Sequence, residues 1–441
     1  MKLEINNRRG IFSRENIHLI LAMYLVFFIN LIQLFAIKTS YFGRISFILI
    51  NILGTGLFLK KTYKNFLLDK NRNTLVFFTL NIIFFIYVLI NGLVYKDIKR
   101  LVYGGYQYII YTLVFYAIYY FVDKKKVDIF LNYIIGFNII NSFICIYEYV
   151  TRKNLIPSDY GQIAFDNVVI YRGRAFFGSF LNAGVVLAIT VFISIYYLIK
   201  AYNNKNMKLM ITYSLSILIF ILGIFSTGSR GPLVSLFGGL LFGYIIYSIV
   251  ISSNRKRNVI ILSILFVVAI ISLLLILRIN TDNIQNSALS FSIHRIQTIF
   301  DWSNDPGNVG RIVRWKFGID LFKQNPVFGI GVAATGAKGL GEFSLGVTES
   351  GVIKKLAELG IVGSIIYYAQ IFYIGKISFN KITSKNEDID RKIFILLLLS
   401  AIVTVSIEEF IYQALEAEVV AFYFWTYIAL IFKSSKDKEL S

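Results

Sequence analysis

Apolar blocks of membrane-spanning length recur along the whole chain, and they limit its fold more than any other feature. A helix needs about 20 mostly apolar residues to cross a bilayer's hydrocarbon core. About twelve blocks meet that length, near residues 17–37, 45–59, 74–95, 101–122, 127–149, 176–199, 208–226, 232–252, 258–278, 355–375, 392–410 and 415–432. The apolar residues run continuously, without the alternation of about ten-residue barrel strands. Of 441 residues 56% are hydrophobic and 16% charged, against about 25% charged in soluble domains. These figures exclude a soluble enzyme, a disordered chain and a secreted disulfide scaffold. The expected fold is all-α: one integral membrane domain, residues 1–441, with about 12 spans.

A lone cysteine, Cys145, lies inside an apolar block, and His18 and His294 are far apart in sequence. Neither a disulfide framework nor a Cys/His metal site can be built from them, so no metal or cofactor is expected. In a soluble protein the net charge of +20 would suggest nucleic acid. In a membrane protein it reads as lysine and arginine in cytoplasmic loops, next to anionic lipid. Membrane lipids, not nucleic acid, are the expected partners of that charge. About 26 basic residues fall in one alternate set of connections, and roughly ten in the short connections of the other. The rich set holds the N-terminus, Lys60/Lys61/Lys64/Lys70/Arg72, Lys124–Lys126, Lys200/Lys205/Lys208, Arg255–Arg257, the 376–392 connection and Lys433 onward. The positive-inside rule then puts both termini in the cytoplasm. The first block is too long for a signal-peptide core and reads as a retained helix.

Two connections of the opposite set are long, residues 150–175 and 279–354. The second contains Trp302, Trp315, two prolines and a glycine-rich stretch, which reads as a structured extracytoplasmic loop. Three polar segments on that side exceed what an anchor needs. In Ser226-Thr227-Gly228-Ser229-Arg230-Gly231-Pro232 the glycines allow a reversal, Pro232 suits a first helical turn, and Arg230 sits at the membrane edge. Helix-start N–H groups plus a guanidinium could seat phosphate; a snorkelling arginine would look the same. In Gly310-Arg311-Ile312-Val313-Arg314-Trp315, Arg311 and Arg314 share a helix face that could grip a diphosphate or lie at the headgroups. This segment precedes Asn325-Pro326-Val327-Phe328-Gly329-Ile330-Gly331. The third segment is Val347-Thr348-Glu349-Ser350-Gly351, ahead of Glu358-Leu359-Gly360-Ile361-Val362-Gly363. Glu349 follows a plausible N-cap, Thr348, where an acid serves ordinary capping as readily as chemistry.

In this order the three segments resemble the O-antigen polymerase and ligase family, comprising Wzy-type repeat-unit polymerases and their ligase relatives. The resemblance covers roughly residues 170–370. It rests on Ser229-Arg230-Gly231, Arg311 ahead of Trp315, Asn325 through Gly331, Glu349, and Glu358 to Gly363. Upstream, Arg174-Ala175-Phe176-Phe177-Gly178 with Asn182 is similar to a further family stretch, although Leu181 stands where proline is usual. Family ligases carry a histidine where this chain has Glu349, and that tilts the resemblance toward a polymerase.

The resemblance implies a helical membrane glycosyltransferase of the C type that acts on a polyprenyl-diphosphate-linked oligosaccharide. The setting would be the outer face of a bacterial cytoplasmic membrane, in surface-polysaccharide synthesis such as O-antigen or capsule, with a possible chain-length regulator as partner. Its substrate-binding residues would be Arg230, Arg311, Arg314 and Arg174, and its general base Glu349. Inversion at the anomeric carbon, without a metal or cofactor, is part of the same expectation. A ligase that moves finished glycan to an acceptor is one alternative. A flippase for the same lipid is another, although no related halves are visible. A reporter fused after Lys126 or Arg257 should read cytoplasmic, and one placed within 300–310 extracytoplasmic. A cytoplasmic long loop would remove every assignment above.

Overall fold

The computed structural model describes residues 14–31, 40–66, 72–95, 98–156, 162–165, 168–254, 257, 278–279, 287–298, 303–336 and 346–434. Apart from Arg278, the span expected at 258–278 lies outside these residues, as do 1–13, Trp302 and 435–441.

Among the described residues nine helices are long and apolar enough to cross a membrane. We number the helices in chain order. The spans are α2 (Ser40–Phe66), α3 (Arg72–Val94), α4 (Ile98–Phe121), α5 (Val127–Thr151), α6 (Phe180–Asn203), α7 (Met207–Ser226), α8 (Arg230–Ile251), α11 (Gly351–Thr383) and α12 (Ile389–Ile411). The shorter apolar helices α1 (Arg14–Asn30) and α13 (Glu418–Ser434) pack into the same bundle. The long loop contributes α9 (Ser287–Gln297) and α10 (Pro306–Gln324). The chain is thus an all-α, multi-pass membrane protein, with one addition. The 150–175 connection carries a small antiparallel hairpin, β1 (Gln162–Phe165) on β2 (Val168–Tyr171).

Helices α6, α12 and α13 form the centre, and α13 is buried along nearly its whole length. Peripheral helices turn an apolar stripe outward. On α3 the exposed residues Ile82, Ile83, Ile86, Leu89, Ile90 and Leu93 recur every three or four positions, as a lipid-facing stripe does. Apolar burial cannot order helices inside lipid, so close packing and interhelical hydrogen bonds take its place. Asn30 donates to Tyr423 at 2.6 Å and Asn138 to Thr190 at 2.8 Å, which ties α1, α5, α6 and α13 together. Small residues let α8 lie close on α12. Gly231, Ser235, Gly239 and Gly243 recur every fourth position. A Cβ would strike Glu408 at Gly231, Thr404 at Gly239, and Ser400 at Gly243.

The two sets of connections separate to opposite ends of this bundle. Lys126 bonds Asn16, Lys200 bonds Asp128, and Lys433 reaches Tyr119 at one end. The other end, which we call the loop end, gathers Arg44, Arg100, Arg172, Arg230, Glu349, Glu409 and Glu418.

Helix α11 is interrupted there. Gly360 takes φ 64°, ψ −170°, which breaks the helix in its first third. The break separates the carbonyls of Ala357 and Glu358 from the N–H groups of Ile361 and Val362. The 326–331 loop replaces all four partners. Ile330 and Gly331 donate to the Ala357 and Glu358 carbonyls at 2.8 and 3.1 Å. Ile361 and Val362 donate to Pro326 and Val327 at 2.9 and 3.2 Å. Gly329, at φ 76°, lies so near the Glu358 backbone that no Cβ would fit. The two glycine motifs of the sequence are therefore halves of one backbone joint.

Candidate active site

The turn before α8 is locked from beneath by Arg172, a residue that sequence reasoning passed over. Its guanidinium donates to the carbonyls of Thr227 and Gly228 at 2.9 and 3.1 Å and to Ser229 Oγ at 3.2 Å, with the Phe180 ring stacked on it. Only the tightness of the turn hinted that its carbonyls need a donor.

Arg230 opens α8 and is buried. It donates to Thr298 O and Oγ1, to Asp305 Oδ1 at 2.8 Å and to Asn308 Oδ1 at 3.2 Å. Its side chain thus fastens the α9–α10 connection to the head of α8. Asp305 is also the N-cap of α10, where its carboxylate accepts from Asn308 N at 2.9 Å. Burial pushes the Asp305 carboxyl up, but Arg230, the Asn308 N–H and Arg295 outweigh it and hold the group below its usual value. The tie therefore holds above the usual carboxylate range and is lost as pH falls through the lowered value.

Arg174 is equally committed to internal partners. It is 1% exposed and its guanidinium bonds the Ile156 carbonyl, while Glu148 accepts from the backbone N–H groups of Arg174, Ala175 and Leu155.

The remaining two arginines lie on α10. Arg314 is half exposed and forms an ion pair with Glu349. Arg311, one turn earlier, makes no hydrogen bond or ion pair among the described residues, although it is partly buried. It lies in the field of Glu349, Glu408 and Asp305 on one side and Arg230 on the other. Burial first, then Arg230, holds its guanidinium below the usual value, against the pull of those carboxylates. Arg295 is pushed down to about 10 by burial and by its neighbours Arg230 and Arg311, with Asp305 opposing. Both remain charged near neutrality.

Glu349 is not a helix cap. Ser350 is the N-cap of α11 and its hydroxyl accepts from Ile353 N, so Thr348 does not fill that role. Glu349 stands one residue outside the helix in the left-handed region, φ 55°, a conformation rare for glutamate. Its neighbours hold it there: Thr348 and Gln413 are hydrogen-bonded at 2.6 Å, and Ser350 Oγ donates to the Glu409 carbonyl. Arg314 engages Oε1, and no described residue bonds Oε2.

Glu408, fully buried on α12, sits against Gly231 with the Ser235 side chain as a hydrogen-bonding neighbour. Its nearest arginine in electrostatic terms is Arg311.

Residues 215–368 match a family model described as O-antigen ligase. Over that stretch the chain is similar to the O-antigen polymerase and ligase family. The matched stretch runs from within α7 to the middle of α11 and holds Arg230, Arg311, Arg314, Glu349 and both halves of the joint; Arg174 lies upstream of it. A comparison with curated proteins finds no match. The match supports a role in surface-polysaccharide biosynthesis and, broadly, glycosyl-transfer activity in a membrane protein.

Removing either partner of a buried ion pair strands the other charge, at about 3–5 kcal/mol. Arg230→Ala and Asp305→Ala should each lower the thermal midpoint of the purified protein. The double variant should cost less than their sum, as coupled neighbours do. Strictly additive losses would show that the two side chains do not support each other.

Proposed function

We propose that this protein polymerises polyprenyl-diphosphate-linked oligosaccharide units at the outer face of the cytoplasmic membrane. The observation that carries this reading is Arg311: a guanidinium at the loop end that is unpaired among the described residues, beside an oriented carboxylate, Glu349. The other arginines that sequence reasoning offered are engaged within the protein: Arg174 and Arg230 by hydrogen bonds, Arg314 by Glu349. Of these four arginines, Arg311 is the one whose planar fork is unengaged among the described residues, and a guanidinium binds phosphate oxygens in charge-assisted pairs.

In the reaction, a hydroxyl oxygen of the acceptor unit attacks the anomeric carbon of the donor glycan. The bond from that carbon to the phosphate oxygen breaks, and the diphosphate leaves with the electron pair. Arg311 stabilises the charge that grows on the leaving oxygens. Such a preorganised group is worth about 3–4 kcal/mol in a dry site. Glu349 takes the hydroxyl proton on Oε2, while Arg314 on Oε1 keeps the carboxylate aimed. Arg230 and Arg172 act at one remove, by fixing α10 and the head of α8. A carboxylate where family ligases carry histidine favours polymer growth over transfer to a foreign acceptor. Arg311 supplies the positive charge for the diphosphate, and the reading calls on no metal.

Glycan ladders at matched expression test these roles. Glu349→Gln should lose long polymer, since general-base loss costs about 10²–10⁴ in rate. Arg311→Lys keeps the charge without the fork and should lose about 10²-fold or more. Arg314→Ala, which frees the carboxylate but leaves it in place, should lose less than either. A full wild-type ladder from Glu349→Gln would end its role as the base. Lipid-linked polymer that never reaches its acceptor in a deletion strain would point to a ligase instead.

A further inference from the structure

Next to this site the bundle buries a concentration of paired charge. Lys355 bonds Glu409 at 2.5 Å and Lys354 bonds Glu416 and lies 3.7 Å from Glu358, while at the edge the half-exposed Arg44 lies 3.7 Å from Glu418. Lys354, Lys355, Glu358 and Glu409 are each under 5% exposed. Apolar residues of equal volume would hold a bundle together as well or better, so stability alone does not account for so many buried ions. Beside these pairs lies a cavity of about 240 Å³ whose walls include Arg44, Tyr103, Tyr106, Gln107, Glu416 and Glu418. It shares Gln107, Tyr111 and Glu416 with a smaller cavity that reaches Lys354, Lys355 and Trp425.

Three features narrow the ligand. The wall is formed where α4 widens into a π-helical turn, Tyr106–Ile110, a distortion common at functional sites. The Tyr103 hydroxyl is buried at the cavity wall within reach of the Gln107 amide, so it can exchange that partner for a ligand hydroxyl. The carboxylates Glu416 and Glu418 would repel a diphosphate, while their ion pairs leave the wall close to neutral. Tyrosine faces, an amide, carboxylates and a guanidinium in one neutral cavity suit a group with an apolar ring face and a rim of hydroxyls that both donate and accept. The volume is below the roughly 300–1,000 Å³ of sites for drug-sized ligands, the scale of a single sugar ring. A hydrogen bond links the turn at the cavity wall to the transfer site. Gln413, at the start of the short turn that carries Glu416, bonds Thr348, the neighbour of Glu349.

We propose that this cavity is a subsite for one uncharged sugar residue of the glycan substrate, separate from the diphosphate position at Arg311. The inference rests on the reading of the chain as a glycan transferase. It assigns the sugar to the face bounded by α4, the head of α11 and the 414–418 turn.

The test uses the full-length protein in lipid nanodiscs. The probe is the lipid-free oligosaccharide released by mild acid from the source strain's own lipid-linked repeat units. Ligand-observed saturation-transfer NMR should detect its binding. Tyr103→Phe and Tyr106→Phe, which keep the rings and so the packing, should each weaken it about fivefold, the worth of one hydrogen bond. Arg311→Ala and added inorganic pyrophosphate should leave it unchanged. No binding to the wild type at millimolar probe, equal binding by wild type and both phenylalanine variants, or displacement by pyrophosphate would each overturn the subsite. Glu349→Gln separates this outcome from that of the catalytic reading. It should stop transfer and still bind the oligosaccharide, so a fully active Glu349→Gln protein would sink the base while the binding data still decide the cavity.

Discussion

An interrupted helix inside a bilayer leaves backbone groups that water cannot reach, each costing several kcal/mol unless the protein supplies a partner. At Gly360 this constraint sets the loop end of the molecule. The two carbonyls and two N–H groups freed by the break are met crosswise by residues 326–331. Side chains then clamp the joint from outside. Asn91 donates to the Phe328 carbonyl at 2.8 Å, Arg100 to those of Ile330 and Gly331, and Glu358 accepts from Thr335 and Tyr108. Helix α10 ends at the start of this loop and α11 begins just before the break. The joint therefore fixes the two helices that carry Arg311 and Glu349 relative to each other.

A second constraint fixes that pair against the rest of the bundle. The small-residue stripe on α8 draws α12 close and puts the Glu408 carboxylate under Gly231. Arg230 extends from the same turn to hold Asp305, the cap of α10. Ser-Arg-Gly thus combines a capping residue, a tether and a contact that admits no side chain. Most charged residues of these motifs serve as framework in this way, while Arg311 makes no hydrogen bond or ion pair among the described residues. That division explains why arginines so similar in sequence differ so much in availability.

Much of the architecture was legible in the sequence, because spans in lipid must be long, apolar and continuous, and the observed helices fall on the expected blocks. The hairpin in 150–175 was not, since eight short strand residues between apolar helices carry little periodic signal. The motif residues were visible as a set, but their roles were not. Spacing put Arg311 and Arg314 on one face without telling which was already paired, and it offered Thr348 as a cap when Ser350 serves. Buried partners such as Asp305 and Thr298 for Arg230, or Glu148 for the Arg174 backbone, lie tens of residues away and carry no local signature. Lys354 and Lys355 looked like one more basic pair until packing enclosed them.

The claim on which the functional reading turns is that diphosphate and reacting hydroxyl meet between Arg311 and Glu349. The most direct measurement is an electron cryomicroscopy structure of the Glu349→Gln protein in a lipid nanodisc with a polyprenyl-diphosphate-linked repeat unit bound. Phosphate oxygens within hydrogen-bonding distance of Arg311, with the anomeric carbon facing residue 349, is the result the account predicts. A diphosphate seated elsewhere, for instance among the lysines at the opposite end of the bundle, would contradict it.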